Sequence, residues 1–139
     1  MSKYQTIQTE LTTAFNLHLA PLGKKFNFTY GTSHNVHRTE IEFKGKDTFD
    51  MFALTISDEF EQIHIDTAFL PIEIRGYGIV LRLMEITFLI GQKYGYDTVV
   101  VNMVPGFYNA LDKRGALKTY NPDGTYNYDA LILANTTKL

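Results

Sequence analysis

The chain has 139 residues and a mass of 15.9 kDa, which fits a single domain spanning 1–139. Apolar residues make up 45% and aromatics 14%, a globular composition; the formal charge of −2, with no basic block, argues against a nucleic-acid partner. With no Cys, disulfide scaffolds, thiolate nucleophiles and Cys-ligated zinc are excluded.

The longest apolar run, residues 79–90, is interrupted by Arg82 and Glu85 and is too short to span a bilayer. The opening residues Met1-Ser2-Lys3-Tyr4-Gln5 lack the apolar stretch of a signal peptide. A soluble cytoplasmic protein without a membrane partner is the expectation.

Tyr4, Ile7, Leu11, Phe15 and Leu19 recur at spacings of three and four, which predicts an amphipathic helix that Pro21 and Gly23 stop. Alternation then takes over. Phe26, Phe28 and Tyr30; Ile41 and Phe43; Phe52, Leu54 and Ile56; and Ile63, Ile65, Thr67 and Phe69 each mark one face of a strand. The connections, including Lys44-Gly45-Lys46-Asp47 and Ser57-Asp58-Glu59, are too short for parallel crossovers, so an antiparallel meander follows.

From Gly78 to Tyr94 the period is helical again, and Gly95 ends it. Residues 96–104, centred on Val99-Val100-Val101, read as a strand covered on both faces. A strand at 63–70, this helix and that strand form one β-α-β unit, whose strands are expected to be parallel and adjacent. A short helix near 106–113 and a strand at 126–134 complete the chain, with Asn121-Pro122-Asp123-Gly124 as a turn before the last strand. The expected fold class is α/β in the sense of a mixed α+β sheet: an antiparallel meander followed by the β-α-β unit, with helices on both faces.

Between strand and helix stands Leu70-Pro71-Ile72-Glu73-Ile74-Arg75-Gly76-Tyr77-Gly78-Ile79-Val80. Pro71 ends the strand as a ladder donor, and the glycines let the backbone approach an anion at the positive end of a helix dipole. Neither a dinucleotide fingerprint nor a P-loop fits, since the third glycine of the one and the Gly-Lys-Ser/Thr of the other are absent.

This stretch resembles the acetyl-CoA motif of the GNAT superfamily of N-acetyltransferases: Gln or Arg, two residues, Gly, one residue, then Gly or Ala. Arg75 and Gly78 match. Val80 departs from the pattern, and its side chain either narrows the space over a pyrophosphate or points away. The order of elements from about Phe52 to Ala134 is similar to that of the family. The resemblance implies a GNAT-like fold in which the two parallel strands splay at their ends and acetyl-CoA, as co-substrate, lies in the cleft. It implies cofactor contacts from Ala68, Phe69, Leu70, Arg75, Gly76, Tyr77, Gly78, Ile79 and Val80, with a backbone N–H near Phe69 or Leu70 holding the thioester oxygen. An amine acceptor, either a small molecule or a protein amine, attacks directly. Homodimers are common in the family, though no residue here identifies such a surface.

The acid and base are harder to place. The family's usual acid is a Tyr four residues before a Gly; with Gly115 as that glycine, the position holds Leu111, which has no proton to give. Tyr108 lies one helical turn earlier and is the candidate acid. His64 and Asp66, two residues apart on one strand face, are candidate bases. Some family members carry a Glu thirteen residues before the motif Arg, where this chain has Gln62 with Glu61 beside it.

His34 and His37 are three apart, but Gly31, Thr32 and Ser33 suggest a loop, and no metal is expected. Asp47 and Asp50 are expected to be solvated. Asn102 either bonds across the splayed strands or satisfies a buried polar group.

The leading function is thus an acetyl-CoA-dependent N-acyltransferase. The alternatives are a binding protein on the same scaffold that has lost catalysis, and an unrelated small α+β domain. Parallel pairing of the two strands, with parting at their C-terminal ends, separates the last from the first two.

Overall fold

Helix α1 (Lys3–Phe26) runs longer than its periodicity suggests. The structure, a computed structural model, describes residues 2–44, 49–71 and 74–139. Pro21 lies inside α1 instead of ending it. An interior proline costs about 3 kcal/mol, but Leu22 and Phe26 extend the stripe of Ile7, Leu11, Phe15 and Leu19 and pack on the same core. Full burial of side chains of this size contributes roughly 1.5–3 kcal/mol each; Leu22 and Phe26 are partly buried, and their packing offsets part of the proline's cost. The stop comes at Asn27, left-handed at φ 55°. Gly23 permits a close return of the chain: a Cβ there would meet the Phe28 carbonyl oxygen at 2.9 Å.

Four strands follow as an antiparallel meander: β1 (Thr29–Asn35), β2 (Arg38–Lys44), β3 (Phe49–Ser57) and β4 (Gln62–Ala68). His34 therefore sits in an edge strand and not in the loop its neighbours suggest; pairing with Thr39 of β2 overrides the poor strand propensity of Gly31 and Ser33. The turn expected at Lys44–Asp47 lies largely outside the described residues, as does Asp47 itself. Asp50 is buried in β3, contrary to the solvated position expected of it, because β3 is an interior strand of the sheet.

Helix α2 (Ile79–Lys93) then leads into β5 (Asp97–Val101), helix α3 (Pro105–Lys113), β6 (Leu117–Tyr120) and β7 (Tyr126–Ile132). Strand order among the described residues is β1-β2-β3-β4-β5-β7-β6, with β4 and β5 the one parallel neighbouring pair. The mixed sheet, the meander and the β-α-β unit are as expected.

The helices are placed differently from the expectation of two covered faces. Phe15 of α1 packs edge-on against Phe52, ring centres 5.8 Å apart. Gly91 of α2 approaches so closely that a Cβ would meet Ile63 and the Tyr96 backbone at 3.1 Å. Asp112 of α3 lies 3.8 Å from Lys118, which is in register with Leu131, and through it with Val100 and Ile65. Phe52, Ile63, Ile65, Val100 and Leu131 share one sheet face, so all three helices cover that face. The reason is handedness: β4-α2-β5 and β5-α3-β6 step the same way across the sheet, and right-handed crossovers then put both helices on one side. The opposite face carries Arg38, Glu40, Thr55, His64 and Asp66, all partly exposed.

Candidate functional site

Parallel pairing of β4 with β5 begins at Gln62 and Asp97 and ends at Ile65 and Val100. Beyond that point β4 stays with β3, since Ala68 faces Phe52 and the Phe69 N–H donates to the Met51 carbonyl at 2.8 Å. β5 instead turns at Asn102, left-handed at φ 57°, whose N–H donates to Asp129 O. The two strands therefore part at their C-terminal ends. The opening is a cleft of about 230 Å³ bounded by residues 65–69 on one side and by 100–104 and Phe107 on the other.

A second, wider hollow of about 510 Å³ continues from it, sharing Ala68, Phe69 and Phe107. Its walls are Leu70, Arg75, Gly76, Gly78 and the first residues of α2, faced by Arg114 at the end of α3. Gly76 and Gly78 have φ of 89° and 74°, which L-residues rarely adopt. Helix α2 starts without a side-chain cap or an acidic residue in its first turn, and its first intrahelical bond near the start is Arg82 N–H to Gly78 O at 3.0 Å. The N–H groups at its head face outward at the positive end of the dipole. Arg75 braces the loop through an Nε bond to the Leu70 carbonyl at 2.8 Å. Anion binding is what this arrangement can do.

The residues expected to touch a cofactor fall as follows. Ala68, Phe69, Leu70, Arg75, Gly76, Gly78, Ile79 and Val80 all line the hollow. Tyr77 does not; its exposed ring lies against Phe26 of α1, centres 4.3 Å apart. Val80 is half-buried, packs against the core and stands among the residues around the hollow. Ile72 and Glu73 lie outside the described residues.

One expected backbone donor is already engaged: the Phe69 N–H is bound to Met51. Because the direction of bonding alternates along an antiparallel pair, the N–H and C=O of Ala68 turn the other way, toward the side that β5 has left.

Of the acid and base candidates, Asp66 lines the cleft. Leu54 is in register with Ile65 and Ala53 with Thr67, so Asp66 is an extra residue in β4. Its Oδ2 accepts from Arg38 at 2.7 Å and Thr55 at 3.4 Å, and its Oδ1 accepts from Thr67 at 2.9 Å. His64 shares that face but does not line the cleft; its Nε2 pairs with Gln62 Oε1 at 2.8 Å. Gln62 and Glu61 sit at the far end of β4, where Glu61 lies 3.9 Å from Lys3. Tyr108 is buried with its hydroxyl unpartnered, and burial pushes that hydroxyl above the usual tyrosine range. Neither it nor Leu111, which is in the core, is among the cleft-lining residues.

Asn102 lines the cleft. His34 bonds Thr12 and Thr39, while His37 lies against the Tyr4 ring. Among the described residues no group of three or more His, Asp or Glu is placed to hold a metal ion, and no helix is long and apolar enough to cross a membrane.

Sequence reasoning missed Phe107 and Arg114. They are seven residues apart, two turns on one face of α3, and that spacing was the available signal.

No family model and no curated protein matches the chain. Among solved structures it is similar to a GNAT family acetyltransferase from Elizabethkingia anophelis with acetyl-CoA bound. The identity is 15% over 77% of this chain and 96% of that one, with a TM-score of 0.49. It is also similar to nourseothricin acetyltransferase, at 14% identity over 76% of this chain and 81% of that one, with a TM-score of 0.43.

Proposed function

We propose that this protein transfers an acetyl group from acetyl-CoA to a primary amine by direct attack within the cleft between β4 and β5. The observation that carries this reading is the parting of the strands after Ile65 and Val100, which joins the cationic loop at Arg75–Gly78 to a narrow, mostly apolar slot. The pyrophosphate fits the head of α2, with Arg75 and Arg114 as its flanking charges. The pantetheine arm fits the slot beside Phe107 and pairs with the free backbone edge of β4. There the Ala68 N–H is the donor best turned to hold the thioester oxygen as negative charge develops on it. Asp66 is the one carboxylate residue among the described residues lining the slot, and it is the candidate to receive the amine or its proton. Holding both substrates in one slot accounts for much of the rate on general grounds.

A second reading is supported by one feature: no tyrosine lines the slot, so a protonated phenol for the departing thiolate is missing among the described residues. The scaffold would then bind the thioester without turning it over. Thermal unfolding with acetyl-CoA and a turnover assay over a panel of primary amines separate the two. Stabilisation of about 2.7 kcal/mol at a hundred times the dissociation constant, with thiol release, supports transfer. Stabilisation with no thiol release from any amine supports binding alone, and no shift at millimolar acetyl-CoA removes both.

A further inference from the structure

The segment that follows β7 folds back over the end of α3. That helix stops at Arg114, its C-cap, whose N–H donates to the Ala110 and Leu111 carbonyls at 3.3 and 3.1 Å. A carbonyl at a helix end has no partner within the helix, and here Lys138 supplies one: its N–H donates to Arg114 O at 2.7 Å. Gly115, at φ 92°, makes room for the return, since a Cβ there would meet Thr136 O at 3.1 Å. Thr137 secures the segment on two sides. Its N–H donates to Ala134 O at 2.9 Å, while its Oγ1 accepts from the Ala134 N–H at 2.9 Å and donates to Gly115 O at 3.3 Å. Leu139 packs against the core.

Capping accounts for these backbone bonds but not for one more. The Arg114 Nη1 donates to the Lys138 carbonyl at 3.0 Å, so Lys138 holds both the backbone and the guanidinium of the arginine. Arg114 lines the same hollow as Arg75, whose Nε is tied to Leu70 O at 2.8 Å. Each guanidinium is thus fixed through a backbone carbonyl. Among the described residues neither pairs with a carboxylate. Two oriented cations around one hollow, each with N–H donors to spare, suit an anion.

We propose that residues 136–139 are a strap that positions Arg114 for the phosphate groups of a ligand in this hollow. Arg114 is exposed, and an arginine free in water gives up rotamer freedom when it binds an anion. For one long side chain that ordering costs up to about tenfold in affinity. The bond to Lys138 O orders the side chain before the ligand arrives. The strap therefore serves ligands that carry phosphate and no others. This inference rests on the coenzyme A half of the transferase reading and needs no turnover.

The probes are coenzyme A and pantetheine, which has the same thiol arm and no phosphate. Each is titrated into the full chain, with backbone amide shifts followed by NMR. Lys138→Pro removes the N–H that holds Arg114 O, and Lys138→Ala is its reference, since both lack the side-chain charge. Coenzyme A should bind Lys138→Pro about five- to tenfold more weakly than Lys138→Ala. Pantetheine should bind the two equally, which also shows that the slot is folded. Thr137→Val, which loosens the strap without touching Arg114, serves as a second variant if Lys138→Pro does not fold, with a loss again confined to coenzyme A.

A double-mutant cycle adds a readout that a merely structural strap would not move. Arg114→Met should weaken coenzyme A by about tenfold or more, and in that background Lys138→Pro should cost nothing further.

The proposal is overturned if Lys138→Pro binds coenzyme A as Lys138→Ala does, if pantetheine loses as much as coenzyme A, or if the losses at 114 and 138 simply add. Failure of coenzyme A to bind the wild-type protein is a different result, and it removes the transferase reading together with this one.

Discussion

Ile65 and Val100 face each other as the last paired residues of the two parallel strands, and everything specific about the candidate site follows from what happens one residue later. On β4 the next residue is the inserted Asp66; on β5 the chain reaches Val101 and then the left-handed Asn102. The slot between them has Ala68, the smallest of the side chains around it, on its wall. Ala68→Phe should therefore place a ring in the slot. Overpacking of this kind costs about 1–3 kcal/mol, and the stabilisation by acetyl-CoA should disappear. Unfolding curves with and without acetyl-CoA check both halves. A variant that acetyl-CoA stabilises as much as wild type would place the thioester elsewhere.

The phosphate loop gives a test in which strain and space are separable. Gly78 has φ 74° and nothing within 4 Å of a Cβ built on it, so substitution is opposed by backbone conformation and not by crowding. Gly78→Ala should lower stability by about 1–2 kcal/mol and weaken acetyl-CoA binding. Gly31 is the control. It lies in β1 with equally open space and no positive φ, so Gly31→Ala should be neutral or stabilising, by at most about 1 kcal/mol. Equal losses in the two variants, measured by denaturant unfolding, would show that the loop conformation is not what the glycine serves.

Local pattern made part of this molecule legible. The apolar spacing from Tyr4 to Leu19, the alternation of the meander and the switch to helical period after Gly78 are properties of neighbouring residues, and the elements appear where those signals stand. The glycine-bearing loop could be read because its chemistry is contiguous. What remained hidden depends on long-range pairing. Nothing near Asp50 shows that β3 will be an interior strand, and nothing near Arg38 shows that Asp66 will lie 2.7 Å away. Pro21 misled for a related reason, since the packing that offsets part of its cost comes from a sheet formed later in the chain. Whether helices cover one face or two depends on the order of strands, β7 standing between β5 and β6, which periodicity does not encode.

Tyr108 tests what a buried hydroxyl costs. Its ring packs 5.4 Å from Tyr128 and its hydroxyl has no partner among the described residues. A buried, unsatisfied polar group costs about 1–3 kcal/mol, so Tyr108→Phe should be as stable as wild type or more so, by up to about 1 kcal/mol after packing adjustments. Turnover, if an amine acceptor is found, should change little, because the hydroxyl is not at the cleft wall. A large fall in kcat with unchanged stability would restore Tyr108 as the acid.

Tyr96 ties stability to alkaline pH. It is 2% exposed, and its hydroxyl donates to Asp58 Oδ1 at 2.8 Å. Burial first, and then the bond to Asp58, push its pKa from 10.0 up to about 12. The folded state therefore holds this proton more tightly than the unfolded chain does. The stabilisation is fully present below about pH 10, the unfolded value, and is lost as pH rises from there through the folded value near 12. Tyr96→Phe removes the titrating group together with one hydrogen bond, which contributes about 1 kcal/mol. At pH 8 the variant should thus be less stable than wild type by roughly that amount, and the gap should close as pH rises above 10. Denaturant unfolding of both proteins between pH 8 and 11 measures the gap directly. Parallel curves across that range would mean that the slope belongs to other groups and that Asp58 does not hold the Tyr96 proton.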